Sequence, residues 1–120
     1  MFEAGVLVFH PKNVHIGDGV YIGHRTMLKG YHERALTIGA GTWIGSDGFF
    51  HAAGGLHIGK NVGVGPHVKI LTSRHAEAGR ETPILHAPTE FAAVRIEDAG
   101  AYTHRTPQTS FTLRTHAGSV

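Results

Sequence analysis

Six aliphatic–glycine pairs recur along this chain: Ile16-Gly17, Ile22-Gly23, Ile38-Gly39, Ile44-Gly45, Ile58-Gly59 and Val64-Gly65. Within each successive two the step is six residues, and a third apolar residue follows six later each time: Leu28, Phe50 and Ile70. The chain thus carries three sets of three hexads, starting at Ile16/Ile22/Leu28, Ile38/Ile44/Phe50 and Ile58/Val64/Ile70. A period of six with glycine after the aliphatic is neither a helix signal nor that of an ordinary strand. It marks an array of very short strands separated by bends, the pattern of a hexapeptide solenoid.

Position i+4 of the regular hexads is also small or apolar: Val14, Val20, Thr26, Thr42, Gly48, Val62 and Val68. Positions i and i+4 therefore point inward, and the polar residues between them face water. Each hexad supplies one short strand and one bend, with glycine at i+1 where the chain must turn without a Cβ clash. Three hexads make a triangular coil, and coils stack in parallel about 4.8 Å apart. The expected fold is all-β, a parallel β-helix with inward stacks Ile16/Ile38/Ile58, Ile22/Ile44/Val64 and Leu28/Phe50/Ile70. Each buried aliphatic contributes roughly 1.5–3 kcal/mol, and a coil needs neighbours to close its interior.

The period is interrupted, always after the third hexad of a coil. From Ile16 to Ile38 is 22 residues, from Ile38 to Ile58 is 20, and from Ile70 to Ile96 is 26. The last gap leaves a 20-residue excursion, 76–95, with Pro83, Pro88 and several apolar residues. A solenoid that places its loops on one edge places its function there. A fourth coil begins at Ile96-Glu97-Asp98; Tyr102 follows Ile96 by six, without a glycine after it. The rhythm then fails. The expected organisation is a β-helix domain over 1–98 and an irregular tail over 99–120, disordered or covering the end of the stack.

Composition narrows the function classes. The formal net charge is +2 and the basic residues do not cluster, which argues against a dedicated nucleic-acid binder. There is no cysteine, so thiol and disulfide chemistry is excluded. The first ten residues carry an acid and no basic region, a poor signal peptide, and no apolar run reaches transmembrane length. A soluble, cytoplasmic protein is expected. The 11 histidines are more than the repeat explains.

The hexads, together with Gly41-Thr42-Trp43-Ile44-Gly45, Val62-Gly63-Val64-Gly65-Pro66-His67-Val68-Lys69-Ile70, Leu71-Thr72-Ser73-Arg74-His75 and Thr82-Pro83-Ile84, resemble the left-handed β-helix hexapeptide-repeat acyltransferases. The resemblance runs from about His10 to Asp98 and is nearest to the sugar and polysaccharide O-acetyltransferases. It implies a left-handed coil, a homotrimer, acetyl-CoA held in a cleft between neighbouring β-helices, a sugar or glycan acceptor and no metal. It also implies a loop histidine as general base, and His75 matches that residue. The chemistry agrees: an attacking hydroxyl or amine must lose a proton, and imidazole titrates near neutral pH. With no nucleophile elbow and no cysteine, direct transfer in a ternary complex is expected. Relatives continue after the loop with further complete coils. The loss of rhythm after Asp98 reads as a truncation or a shifted reading frame, and a non-catalytic remnant is the competing function.

Three further residues are candidates for binding substrate. His51 follows the inward Phe50 on the loop-bearing side and either contacts the acceptor or is an outward polar residue. Trp43 is a platform for a sugar or pantetheine, or a trimer contact. Tyr31, with His32, sits in the first excursion within reach of an acceptor. Glu77 and Glu81 either orient His75 or are solvated loop charges, and Asp47 suits a turn cap. The histidines also admit a zinc site like that of the γ-class carbonic anhydrases, which share this coil architecture; the asparagine-, glutamine- and aspartate-rich signature of that family is missing.

Overall fold

The structure is a computed structural model that describes residues 1–75 and 89–98 and the backbone of 101–102. Residues 76–88 of the long excursion, with Glu77 and Glu81, and the rest of the tail lie outside the described residues. Three parallel sheets of four strands each form the walls of a triangular prism. The first wall holds β1 (Leu7–Phe9), β4 (Met27–Lys29), β7 (Phe49–His51) and β10 (Lys69–Leu71). The second holds β2 (Val14–Ile16), β5 (Leu36–Ile38), β8 (Leu56–Ile58) and β13 (Val94–Ile96). The third holds β3 (Tyr21–Ile22), β6 (Trp43–Ile44), β9 (Gly63–Val64) and β14 (Ala101–Tyr102). One antiparallel pair, β11 (Ser73–His75) with β12 (Thr89–Phe91), stands apart from the prism walls.

The inward stacks have the register that the hexads predict. Ile16, Ile38, Ile58 and Ile96 align across the second wall. Ile22, Ile44 and Val64 align across the third, and Leu28, Phe50 and Ile70 across the first. All but Ile16, at the start of the stack, are buried, as are Val20, Val62 and Val68 at i+4. The sequence missed one partial coil before Ile16. Val8 of β1 aligns with Leu28, and Phe2 bridges to Ile22. Phe2 and Val8 keep the six-residue step, but neither is followed by glycine, so a search for aliphatic–glycine pairs passes over them.

The i+1 glycines have a different reason from the bend assigned to them. None of Gly17, Gly23, Gly39, Gly45 or Gly59 has a positive φ. A Cβ on Gly39 would stand 2.6 Å from the Gly59 carbonyl carbon and the Lys60 nitrogen, and one on Gly45 would stand 2.7 Å from the Pro66 nitrogen. Glycine is needed there because the next coil's backbone passes at contact distance. The bend itself falls at i+3, where Gly19, Arg25, Gly41, Asp47, Asn61 and His67 all take left-handed φ values. Asp47 thus occupies a turn as expected, and its carboxylate also receives two bonds from the Arg25 guanidinium, at 2.8 and 3.0 Å.

Buried threonines tie consecutive coils. Thr42 Oγ1 donates to the Gly59 carbonyl (2.7 Å) and accepts from the Val62 N–H (3.1 Å). Thr26 does the same with Gly45 and Gly48. Each hydroxyl both donates and accepts, so it can be buried without an unsatisfied polar atom.

Every insertion falls on the edge between the first and second walls. Gly54 lets the second and third excursions meet there: its Cβ would stand 2.5 Å from the Thr72 carbonyl oxygen and 2.8 Å from the Ala92 nitrogen. The long excursion returns to the prism at Val94, so Val94 and Arg95 belong to β13 rather than to the loop. Beyond Asp98 the backbone of Ala101–Tyr102 pairs in parallel with Gly63–Val64, carrying the fourth coil to its second strand.

Candidate functional site

The edge that carries the insertions also carries a cleft of about 380 Å³, lined by Tyr31, His32, Glu33, Arg34, Ala53 and Phe91. Its walls come from all three excursions. The first is pinned by Asn13, whose Nδ2 donates to the carbonyls of Tyr31 and, at 3.1 Å, of His32. Within it the Tyr31 N–H donates to the Arg34 carbonyl (3.0 Å). The third excursion contributes Phe91 from β12.

His75 lies on the strand that pairs with β12, in a short antiparallel ribbon. Ser73 pairs with Phe91, Arg74 with Glu90, and His75 with Thr89. Side chains alternate along a strand, so His75 shares a ribbon face with Ser73 and Phe91. Arg74 and Glu90 form an ion pair of 3.0 Å from the alternate positions. The expected base is therefore exposed, at the mouth of the long excursion, on the face whose other large side chain lines the cleft.

His51 ends β7 and is half-buried. Its ring lies 5.0 Å from that of Tyr31, tilted by 58°, and 6.0 Å from that of Phe49. Its Nδ1 is buried and has no hydrogen-bond partner among the described residues. Burial, and then the positive charge of Lys29, hold the imidazole below its ordinary pKa, which favours the neutral ring. Thr72 fixes the backbone here: its Oγ1 donates to the His51 carbonyl (2.8 Å) and accepts from the Gly54 N–H (2.8 Å).

Trp43 is not part of this cluster. It lies within β6 on the third wall, which does not border the excursion edge. Its indole stacks on Tyr21 at 5.4 Å and 10°, and the Tyr21 hydroxyl donates to Glu3 Oε2 (2.9 Å). Within one chain, then, Tyr31 and His51 touch, Tyr31 and Phe91 line one cleft, His75 shares the ribbon face of Phe91, and Trp43 stands elsewhere. Among the described residues no group of three His, Cys, Asp or Glu side chains is arranged to hold a metal ion.

Sequence inspection missed Phe9, His10, Lys29 and Phe49, which surround Tyr31 and His51 on the outer face of the first wall. The Lys29 ammonium sits 5.1 Å from the Phe9 ring centroid, 5.7 Å from Tyr31 and 5.9 Å from Phe49. His10 stacks on Tyr31 at 5.9 Å. A signal was present. At i+1 the first and second hexads of a coil carry glycine, whereas the third-hexad positions are Phe9, Lys29, His51 and Leu71. These four align in one outward row.

No protein-family model matches the sequence, and no curated protein matches it. Among solved structures the chain is similar to a mutant of AntD, an N-acyltransferase from Bacillus cereus, in complex with dTDP and coenzyme A. The TM-score is 0.66 at 15% identity, over 84% of this chain and 59% of that one. The likeness is one of fold. The chain spans about three-fifths of that neighbour's length.

Proposed function

We propose that this protein is an acyltransferase that moves an acetyl group from acetyl-CoA to a hydroxyl, or an amine, of a sugar or glycan. The observation that carries the proposal is that His75 shares a ribbon face with Phe91, which lines the cleft built by the three excursions. The fold likeness to an acyltransferase crystallised with coenzyme A supports the choice of donor.

In this mechanism the acceptor lies in the cleft and His75 takes the proton from its attacking oxygen or nitrogen. The nucleophile adds to the thioester carbonyl, and a backbone N–H at the excursion edge stabilises the oxyanion. Collapse breaks the carbon–sulfur bond, and the proton held by His75 passes to the departing thiolate, giving free coenzyme A. No acyl-enzyme forms. The protein works as a homotrimer, in which a neighbouring β-helix supplies the second wall of the donor site and brings the exposed Trp43 platform to an interface.

Binding of the donor can be measured apart from chemistry. A ligand that binds only the folded chain at about 100 times its Kd adds about 2.7 kcal/mol of stability. Saturating coenzyme A is therefore expected to raise the melting temperature by several degrees. No shift at millimolar coenzyme A would remove acyl-CoA as the donor.

A further inference from the structure

We propose that Lys29, Tyr31 and His51 form a subsite for an anionic group, a carboxylate or phosphate, carried on the ring of the acceptor sugar. The proposal rests on the acyltransferase function for the word acceptor. The binding itself does not depend on turnover.

Lys29 is a cation without a counter-ion among the described residues. The ion pairs among those residues are His24 with Glu3, Arg25 with Asp47, Arg74 with Glu90 and Arg95 with Glu97; none involves Lys29. Its ammonium instead lies over the rings of Phe9, Tyr31 and Phe49. Cation–π contacts hold it against the sheet face, at a cost in side-chain freedom. They leave its charge uncompensated by any described carboxylate. The groups around it add no acid: His10 follows β1, Tyr31 follows β4, Phe49 and His51 come from β7, and β10 places Lys69 and Leu71 in the same outward rows. Glu33 lines the neighbouring cleft together with Arg34, a charge of opposite sign, and Asp47 is held by Arg25.

His51 is the second part. A buried nitrogen without a partner is costly, and Nδ1 of His51 is one among the described residues. Burial first, and then the Lys29 charge, disfavour protonation of this ring. An anion bound at Lys29 would offset that charge and favour the imidazolium, which would then be a second donor to the anion. Binding of an anion and uptake of a proton by His51 are thus linked.

The rings supply the third part. Tyr31 joins the cation to the cleft, since it packs on His51 and lines the cleft with Phe91. The aromatic faces of Tyr31 and Phe49 suit the C–H face of a pyranose, with the charged substituent turned toward Lys29. The matching ligand is a sugar acid or a sugar phosphate rather than a neutral sugar.

The test uses the full chain without acyl-CoA. Binding of glucose, glucuronate and glucose 1-phosphate is measured by calorimetry, and the His51 imidazole is titrated by NMR with and without each. At least one anionic sugar is expected to bind about ten-fold or more tighter than glucose, a difference of about 1.4 kcal/mol, and to raise the His51 pKa. Which of the two does so identifies carboxylate or phosphate. Lys29→Met should abolish the preference and Lys29→Arg should retain most of it, with circular dichroism confirming the fold of both. Equal binding of all three sugars, no binding of any, or an anion preference that survives Lys29→Met would overturn the proposal. A chain that binds the anion but releases no coenzyme A would keep this subsite and refute the transferase.

Discussion

Replacing His75 by alanine is expected to lower acetyl transfer by about 10²–10⁴-fold, the usual contribution of a positioned general base. The melting temperature should stay within a few degrees of the parent, because the His75 side chain is exposed and its strand pairs with Thr89 through the backbone. Those two readouts together make the test specific. A structural residue would move stability and rate together, whereas a base moves the rate alone. The loss should fall on kcat, with the KM for acetyl-CoA little changed. Unchanged turnover would remove His75 from the mechanism and direct attention to the other histidines at the cleft, His32 in its lining and His51 and His10 packed on Tyr31.

Gly39→Ala is expected to cost about 1–3 kcal/mol or more, the range for overpacking a tight contact. The new Cβ would stand 2.6 Å from the Gly59 carbonyl carbon and the Lys60 nitrogen, and 2.7 Å from the Gly59 oxygen. All three are backbone atoms of the next coil and cannot rotate away as a flexible side chain can. Relief requires the two coils to separate, which would strain the nearby bond from the Gly39 N–H to the Ile58 carbonyl (2.8 Å) and the Thr42 bond to Gly59. Gly63→Ala is the matched control. No described atom lies within 4 Å of a Cβ placed there, and Gly63 has no positive φ. That substitution should be neutral or stabilising by about 0.4–1 kcal/mol, through the unfolded state. Urea denaturation of both variants measures the difference. Equal midpoints would show that the i+1 glycines are not kept for close coil approach.

The prism was legible because its repeat is rigidly periodic. Ile38, Ile44 and Phe50 each sit above and below a partner at the same hexad position, so spacing alone predicts register. The two places where the reading fell short have a common cause. Phe2 and Val8 keep the step but lack the following glycine, and the bend at Arg25, Asp47 and His67 is held by non-glycine residues in the left-handed region. A pattern keyed to glycine sees neither. The excursion edge was legible in position but not in content. Spacing shows that residues are inserted there and drew attention to Tyr31 and His51, whereas His75 was singled out by the family resemblance. It does not show that Asn13 pins the first excursion, that Phe91 comes back to line the cleft, or that Lys29 folds over three rings. Those contacts join residues from different coils, and each depends on a side-chain direction that a one-dimensional period does not carry. Trp43 shows the same limit from the other side: its chemistry suggested a platform for a sugar or pantetheine or a trimer contact, and only the assignment of its strand to the third wall shows that it lies away from the cleft of its own chain.

The most direct test of acyl transfer is the release of free thiol from acetyl-CoA by the full chain, followed with and without a panel of neutral, acidic, phosphorylated and amino sugars. Release above spontaneous hydrolysis is expected, dependent on an acceptor and equal to the acetylated sugar formed, mole for mole. Release no faster than hydrolysis with every acceptor, from a chain shown to be folded, would contradict acyl transfer.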